Sequence, residues 1–191
     1  VMVKDSIITS PVSIRCGRLL ASYSVFDSVK LSSADPGAEI VFDNCLILGG
    51  VQSSAPAPKR VEFRNCTFIG CSNSIEMESG TNLVITDSIF TKSSESAVFL
   101  KAAGQDYQLK NVCMWQNGAD FGGVAAETKV IALSPMFSAK ALGDLRLRKE
   151  SPCRGKGSNK KDIGLDWSDA QWGRWLRFLK GHYATGLLGT D

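Results

Sequence analysis

Most of the usual catalytic equipment is missing from these 191 residues. The chain has one histidine, His182, far in sequence from any recurring motif, which excludes a Ser-His-Asp or Cys-His device. Six cysteines occur without a single C-x-x-C pair, so no metal site is expected. No run of 18 apolar residues exists, so no membrane span is expected. Arg154-Gly155-Lys156-Gly157 lacks both the spacing of a phosphate loop and a strand before it, and no cofactor is expected. Val1 lies inside the first recognisable strand, so an N-terminal cap and any targeting signal are expected upstream of it.

What is present is repetition. The copies read Val3-Lys4-Asp5-Ser6-Ile7-Ile8, Phe26-Asp27-Ser28-Val29-Lys30-Leu31 and Phe42-Asp43-Asn44-Cys45-Leu46-Ile47. They continue as Phe63-Arg64-Asn65-Cys66-Thr67-Phe68, Ile85-Thr86-Asp87-Ser88-Ile89-Phe90 and Leu109-Lys110-Asn111-Val112-Cys113-Met114, and close at Ala132-Leu133-Ser134-Pro135-Met136-Phe137. Aligned on the third position, at residues 5, 28, 44, 65, 87, 111 and 134, the intervals are 23, 16, 21, 22, 24 and 23. Such a period marks a repeat architecture in which no unit buries its apolar face alone.

Each copy alternates as a strand, breaks at a polar bend and resumes as a second short strand. Copies stacked about 4.8 Å apart place like residues in columns. Leu31, Ile47, Phe68, Phe90, Met114 and Phe137 form an apolar column. Ser28, Asn44, Asn65, Asp87, Asn111 and Ser134 form a bend column, whose amides are expected to make an inward hydrogen-bonded ladder. A third column is small: Ser6, Val29, Cys45, Cys66, Ser88, Val112 and Pro135. Cys45 and Cys66 there point in parallel, which suits two buried thiols better than a disulfide. Pairings among Cys16, Cys71, Cys113 and Cys153 stay open. Asn65-Cys66-Thr67 matches a glycosylation sequon, but its Asn is expected to face inward.

The runs FDNCLIL, FRNCTFIG and ITDSIFT resemble coils of the right-handed parallel β-helix superfamily, the pectate-lyase-like fold. Ser134-Pro135-Met136-Phe137, Gly143-Asp144-Leu145-Arg146-Leu147, Ser151-Pro152-Cys153 and Asp162-Ile163-Gly164 resemble the closing stretch of bacterial β-helix repeat proteins. The resemblance covers roughly residues 1–165. It implies an all-β, single-stranded parallel β-helix of about seven coils at 1–137, a wrapping segment at 138–166, and a capping helix and tail at 167–191. It also implies an extracellular or cell-surface setting. Function is left open, since the superfamily holds lyases, hydrolases, epimerases, tailspikes and adhesins.

Ser168 and Gln171 read as a capping box. Trp172, Trp175, Leu176 and Leu179 follow as one apolar stripe, opposite Arg174, Arg177 and Lys180, with Gly181 as the stop. The stripe can close the open end of the coils, dock another protomer or domain through Trp172, Trp175 and Leu176, or lie on a membrane interface; we take the first as the expectation. Residues 138–180 carry 11 Lys/Arg against 5 Asp/Glu, a surplus of +6 that leaves −3 elsewhere. This segment is either solvated or drawn to a polyanion such as an acidic polysaccharide; nucleic acid is not expected as the partner.

Chemistry on such a shaft needs clustered outward side chains. Glu76 and Glu78 alternate around inward Ile75 and Met77, within reach of a glycosidase pair, although the next coil is read with Val98 and Leu100 outward and Phe99 inward. Arg64 is expected to pair with Asp43 across the stack. Lys101 joins the candidate polar contacts. Trp115 stands with Leu48, Ile69 and Thr91 in an apolar strip that either stacks sugars or packs a loop. No catalytic residue is assigned. The function expected is a non-catalytic, carbohydrate-associated scaffold or binding module. The alternatives are a piece of a polysaccharide lyase or glycoside hydrolase, and an assembly element of a tailspike or fibre.

Overall fold

The computed structural model describes residues 1–102, 105–123, 130–139 and 143–183. Three parallel sheets of six strands each form a β-helix. The first sheet stacks Met2–Lys4, Arg18–Ser22, Glu39–Asp43, Arg60–Arg64, Asn82–Thr86 and Tyr107–Lys110. The second stacks Ile7–Ile8, Val25–Phe26, Leu46–Ile47, Thr67–Ile69, Ile89–Thr91 and Cys113–Trp115. The third stacks Val12–Arg15, Val29–Ser32, Val51–Ser53, Ile75–Met77, Ser96–Leu100 and Ala119–Gly122. An antiparallel pair, Phe137–Ala139 with Asp144–Leu147, and a helix, Asp169–Tyr183, follow.

Two of the seven copies are displaced. Val3, Ala21 and Phe42 are partners in the first sheet, so the second copy is Ala21-Ser22-Tyr23-Ser24-Val25-Phe26. Phe26–Leu31 instead turns the corner from the second sheet to the third, where Asp27-Ser28 imitates the bend. The last copy is not a coil. Ile131 bridges Cys113 in parallel, and Phe137 then pairs antiparallel with Leu147. Six strands per sheet therefore replace seven coils.

The bend itself is as expected. Asp5, Tyr23, Asn44, Asn65, Asp87 and Asn111 all hold left-handed backbone, φ 49° to 54°, which Asn and Asp tolerate best. The ladder is not as expected. One rung forms, Asn111 Nδ2 donating to Asp87 Oδ1 at 2.7 Å. No other bond between members of this column is seen among the described residues. Two of these corners hold the C-terminal segment: Asp166 N–H donates to Asn44 Oδ1 at 2.9 Å, and Ser158 N–H to Asp87 Oδ1 at 2.9 Å.

Inside, large rings fill adjacent coils. Phe42 and Phe63 stack at 5.1 Å, Phe68 and Phe90 at 4.5 Å, and Phe63 meets Phe68 edge-on at 5.2 Å. The small column runs Ser6, Ser24, Cys45, Cys66, Ser88, Val112 because its members sit beside backbone. Ser24 Oγ accepts from Ser6 N–H and donates to Ser22 O; Ser88 does the same for Cys66 N–H and Thr86 O. Cys45 and Cys66 are buried free thiols.

The outer face of the second sheet is also apolar, and this decides where the C-terminal segment lies. Val25, Leu46, Leu48, Ile69, Ile89 and Cys113 form one buried cluster with Phe137, Leu145, Cys153, Ile163, Trp167, Trp172 and Trp175. The helix thus packs on the side of the shaft rather than closing its end. Each buried indole contributes up to about 4–6 kcal/mol, taking about 25 cal/mol per Å² over roughly 150–250 Å². Trp167 Nε1–H also donates to Asn44 O at 2.8 Å. The capping box forms: Ser168 Oγ accepts Gln171 N–H at 3.3 Å and Gln171 Oε1 accepts Ser168 N–H at 2.9 Å. The helix runs through Gly181 to Tyr183 rather than stopping there. The side chains of Leu179, Lys180 and His182 lie outside the described residues. No helix among those residues is long and apolar enough to cross a membrane.

Candidate functional site

The five sequence candidates fall in three separate places. Glu76, Glu78 and Lys101 meet on the outer face of the third sheet. There, register places Lys30, Gln52, Glu76, Phe99 and Gly122 in one outward row. Phe99 is therefore outward, and Val98 and Leu100 are inward and buried, the reverse of the sequence reading. The inversion follows from Ile75 pairing with Val98, which sets the phase of the whole strand. The half-buried Phe99 ring leans over Gly122: a Cβ at residue 122 would stand 2.6 Å from its Cδ2.

Lys101 Nζ donates to Glu76 Oε1 at 2.8 Å and to Glu78 Oε1 at 2.7 Å, while Gln52 Nε2 donates to Glu76 Oε2 at 3.3 Å. These two carboxylates push the Lys101 ammonium up to about 12. An ammonium held that firmly is no general base, because proton abstraction needs a pKa near the working pH. Both carboxylates accept from the same cation, whereas glycosidases need one carboxyl as acid and the other as nucleophile or base. The cluster is an ion-paired surface patch.

Arg64 belongs to a second place. Its Nε donates to Glu62 Oε1 at 2.6 Å, and Arg60 reaches Glu62 Oε2 at 3.3 Å. The expected ion pair with Asp43 gives way to this one, since Glu62 lies between two arginines on the same strand face. The Arg64 hydrogen bond holds the Glu62 carboxyl below its ordinary value despite burial. Burial pushes Asp43 the other way, above its ordinary value, with Arg64 only partly opposing it.

Trp115 occupies the third place. Its strip partners Leu48 and Ile69 are buried in one cluster with the C-terminal segment and Thr91 is buried as well, so the strip is mainly a packing surface. Trp115, at its far edge, stays half-buried and lines a cleft of about 330 Å³ with Gln116, Met136 and Arg148 over a floor of Pro135 and Phe137. That volume lies at the small end of ligand-site sizes. The cleft forms where Cys113–Trp115 ends and the antiparallel pair begins, with Gln116 and Met136 at φ 53° and 52°.

Comparison with known proteins is silent: no family model, no curated protein and no solved structure matches the chain.

The charge of the tail resolves into pairs. Arg146 binds Asp144 at 2.7 Å, Lys161 binds Asp166 at 2.7 Å, Arg154 binds Asp162 at 3.4 Å and Lys149 binds Glu150 at 3.7 Å. Among the described residues, Arg148, Lys156, Lys160, Arg174 and Arg177 have no carboxylate within 4.0 Å. Of these, Arg148 alone lines the Trp115 cleft. Gln116 and Arg148 carried no signal in the sequence, and Met136 only as part of the closing copy, since they meet Trp115 through the irregular close of the coils. Trp172 and Trp175, read as a possible docking stripe, are each 3% exposed and covered from within the chain.

Proposed function

We propose that this chain is a non-catalytic β-helix scaffold that binds an acidic carbohydrate polymer at the Trp115 cleft, within an extracellular or surface protein of the pectate-lyase-like kind. The observation that carries this reading is the meeting, in one concave site, of a half-buried indole, an amide and the Arg148 guanidinium, which has no carboxylate partner among the described residues and donates only to Ser138 O at 3.4 Å. An indole offers an apolar plane for the C–H face of a sugar ring. The Arg148 fork suits a uronate carboxylate, and Gln116 supplies a donor and an acceptor for hydroxyls. The lyase or hydrolase reading is less favoured, because Lys101 is held as an ammonium between its two carboxylates. The assembly reading is less favoured because Trp172 and Trp175 are already buried.

The test is retention on immobilised uronic-acid oligosaccharides alongside neutral ones. Binding to the acidic set, lost by at least about tenfold in Trp115→Ala or Arg148→Ala, supports the reading; a tenfold loss is about 1.4 kcal/mol. Equal retention by the variants, or release of shortened oligosaccharides, contradicts it.

A further inference from the structure

The Trp115 cleft sits at a corner that the preceding coils repeat. In the second sheet Thr91 pairs with Trp115, and Ile69 with Thr91. The residue after each of these turns the chain toward the third sheet in left-handed backbone: Gly70 at φ 71°, Lys92 at 59° and Gln116 at 53°. Backbone bonds hold the three corners in a row. Lys92 N–H donates to Trp115 O at 3.2 Å, and Gly70 N–H donates to Thr91 O at 3.1 Å. Gln116 lines the cleft. Lys92 holds the same corner one coil earlier with a matching φ, so its Cβ leaves the backbone as that of Gln116 does and its side chain stands next in the row. Gly70, one coil further on, adds no side chain to the row.

We infer that the acidic polymer lies along the shaft axis and places a second carboxylate on Lys92, one sugar unit per coil. This inference rests on the binding function proposed for the cleft. Coils repeat about every 4.8 Å, close to the length that one sugar unit adds to a chain. A unit stacked on Trp115 with its carboxylate on Arg148 therefore brings the next unit over Lys92. An ammonium has three donors, so a contact that Lys92 makes within the chain leaves donors for a carboxylate. The bond to a carboxylate is charge-assisted and among the stronger ones a side chain makes.

The acidic side chains of these corners do not compete as bare charges. Glu95 accepts from Ser72 Oγ–H and from Asn73 Nδ2–H, each at 2.9 Å, and Asp120 accepts from Asn117 Nδ2–H at 3.2 Å. Among Gly70, Lys92 and Gln116, the lysine is the one charged member. The row thus adds a cation beside the cleft and nothing comparable one coil beyond. Once the first unit is seated, the second carboxylate meets Lys92 as an intramolecular partner, which raises affinity without a second binding event from solution. The ligand selected is a polymer with acids on adjacent units rather than an isolated acidic sugar.

The test titrates the full chain calorimetrically with galacturonate and with digalacturonate. The wild-type chain should bind the dimer about tenfold or more tightly than the monomer. Lys92→Gly should remove that gain while leaving monomer affinity unchanged, and Lys92→Arg should keep it. Glycine is used because Gly70 already occupies this corner one coil away, so the variant brings no backbone strain. Equal affinity for monomer and dimer, or a dimer gain that survives in Lys92→Gly, overturns the inference and leaves the cleft's binding function standing. No binding of either sugar by the wild-type chain overturns the binding function, and the second contact with it.

Discussion

Asn44 and Asn65 occupy the same corner one coil apart, at φ 54° and 50°, yet only Asn44 holds the C-terminal segment. Alanine at either site lacks asparagine's tolerance of left-handed backbone, which costs up to roughly 1–2 kcal/mol. At residue 44 it also removes the acceptor for Asp166 N–H, a part-buried bond worth about 1 kcal/mol. Asn44→Ala is thus expected to lose about 2–3 kcal/mol and Asn65→Ala about 1–2 kcal/mol. Glycine accepts the left-handed corner without strain, so it separates the two contributions. Asn44→Gly should remain about 1 kcal/mol less stable than Asn65→Gly, and that difference isolates the bond to the segment. Urea unfolding supplies the free energies, and hydrogen exchange over residues 163–176 locates the loss. Coincident stabilities for the two glycine variants, or faster exchange in the coils alone, would refute docking through Asn44.

Gly122→Ala should destabilise by about 1–3 kcal/mol in urea unfolding, because the new Cβ meets the Phe99 ring, and Phe99→Ala in the same chain should recover part of that loss. Glu62 has a folded pKa below its ordinary 4.5, so its stabilisation is present above that pH and is lost as pH falls through the lowered folded value; Glu62→Gln should flatten this part of the stability-versus-pH curve, and an unchanged curve would count against the arginine pairing. Lys101→Met should change stability by less than about 1 kcal/mol, since an exposed ion pair contributes little, and a larger loss by thermal unfolding would show that the cluster supports the third sheet.

The coil was legible because its signal is local. An apolar residue, a polar one, an Asn or Asp at a left-handed corner and a small residue recur together, and six of these corners exist. Phe26-Asp27-Ser28 was misread because a corner between the second and third sheets carries the same residue types as one between the first and second. The phase of Ser96–Leu100 was lost for a different reason. Its outward Phe99 and inward Val98 are both apolar, so alternation gave no sign of which faced water. The helix was readable from its capping box and Trp stripe, but its partner was not. Of the apolar outer face of the second sheet, Leu48 and Ile69 were readable as an outward strip, whereas Val25, Leu46 and Ile89, which complete it from three separate coils, were not. Trp115 was legible as an aromatic on an outward column. Arg148 was not, because it reaches the cleft through a chain reversal that has no period.

Nitrogen–proton correlation spectra of the four indoles during titration with an acidic oligosaccharide test the central claim most directly. Trp167, Trp172 and Trp175 are no more than 7% exposed and act as internal controls, whereas Trp115 lines the cleft. A saturable shift of the Trp115 Nε1–H signal, with the three buried indoles still and the response abolished in Arg148→Ala, is the predicted result. An unmoved Trp115 signal at saturating ligand, or shifts centred on Phe99 and Glu76 instead, would contradict the account.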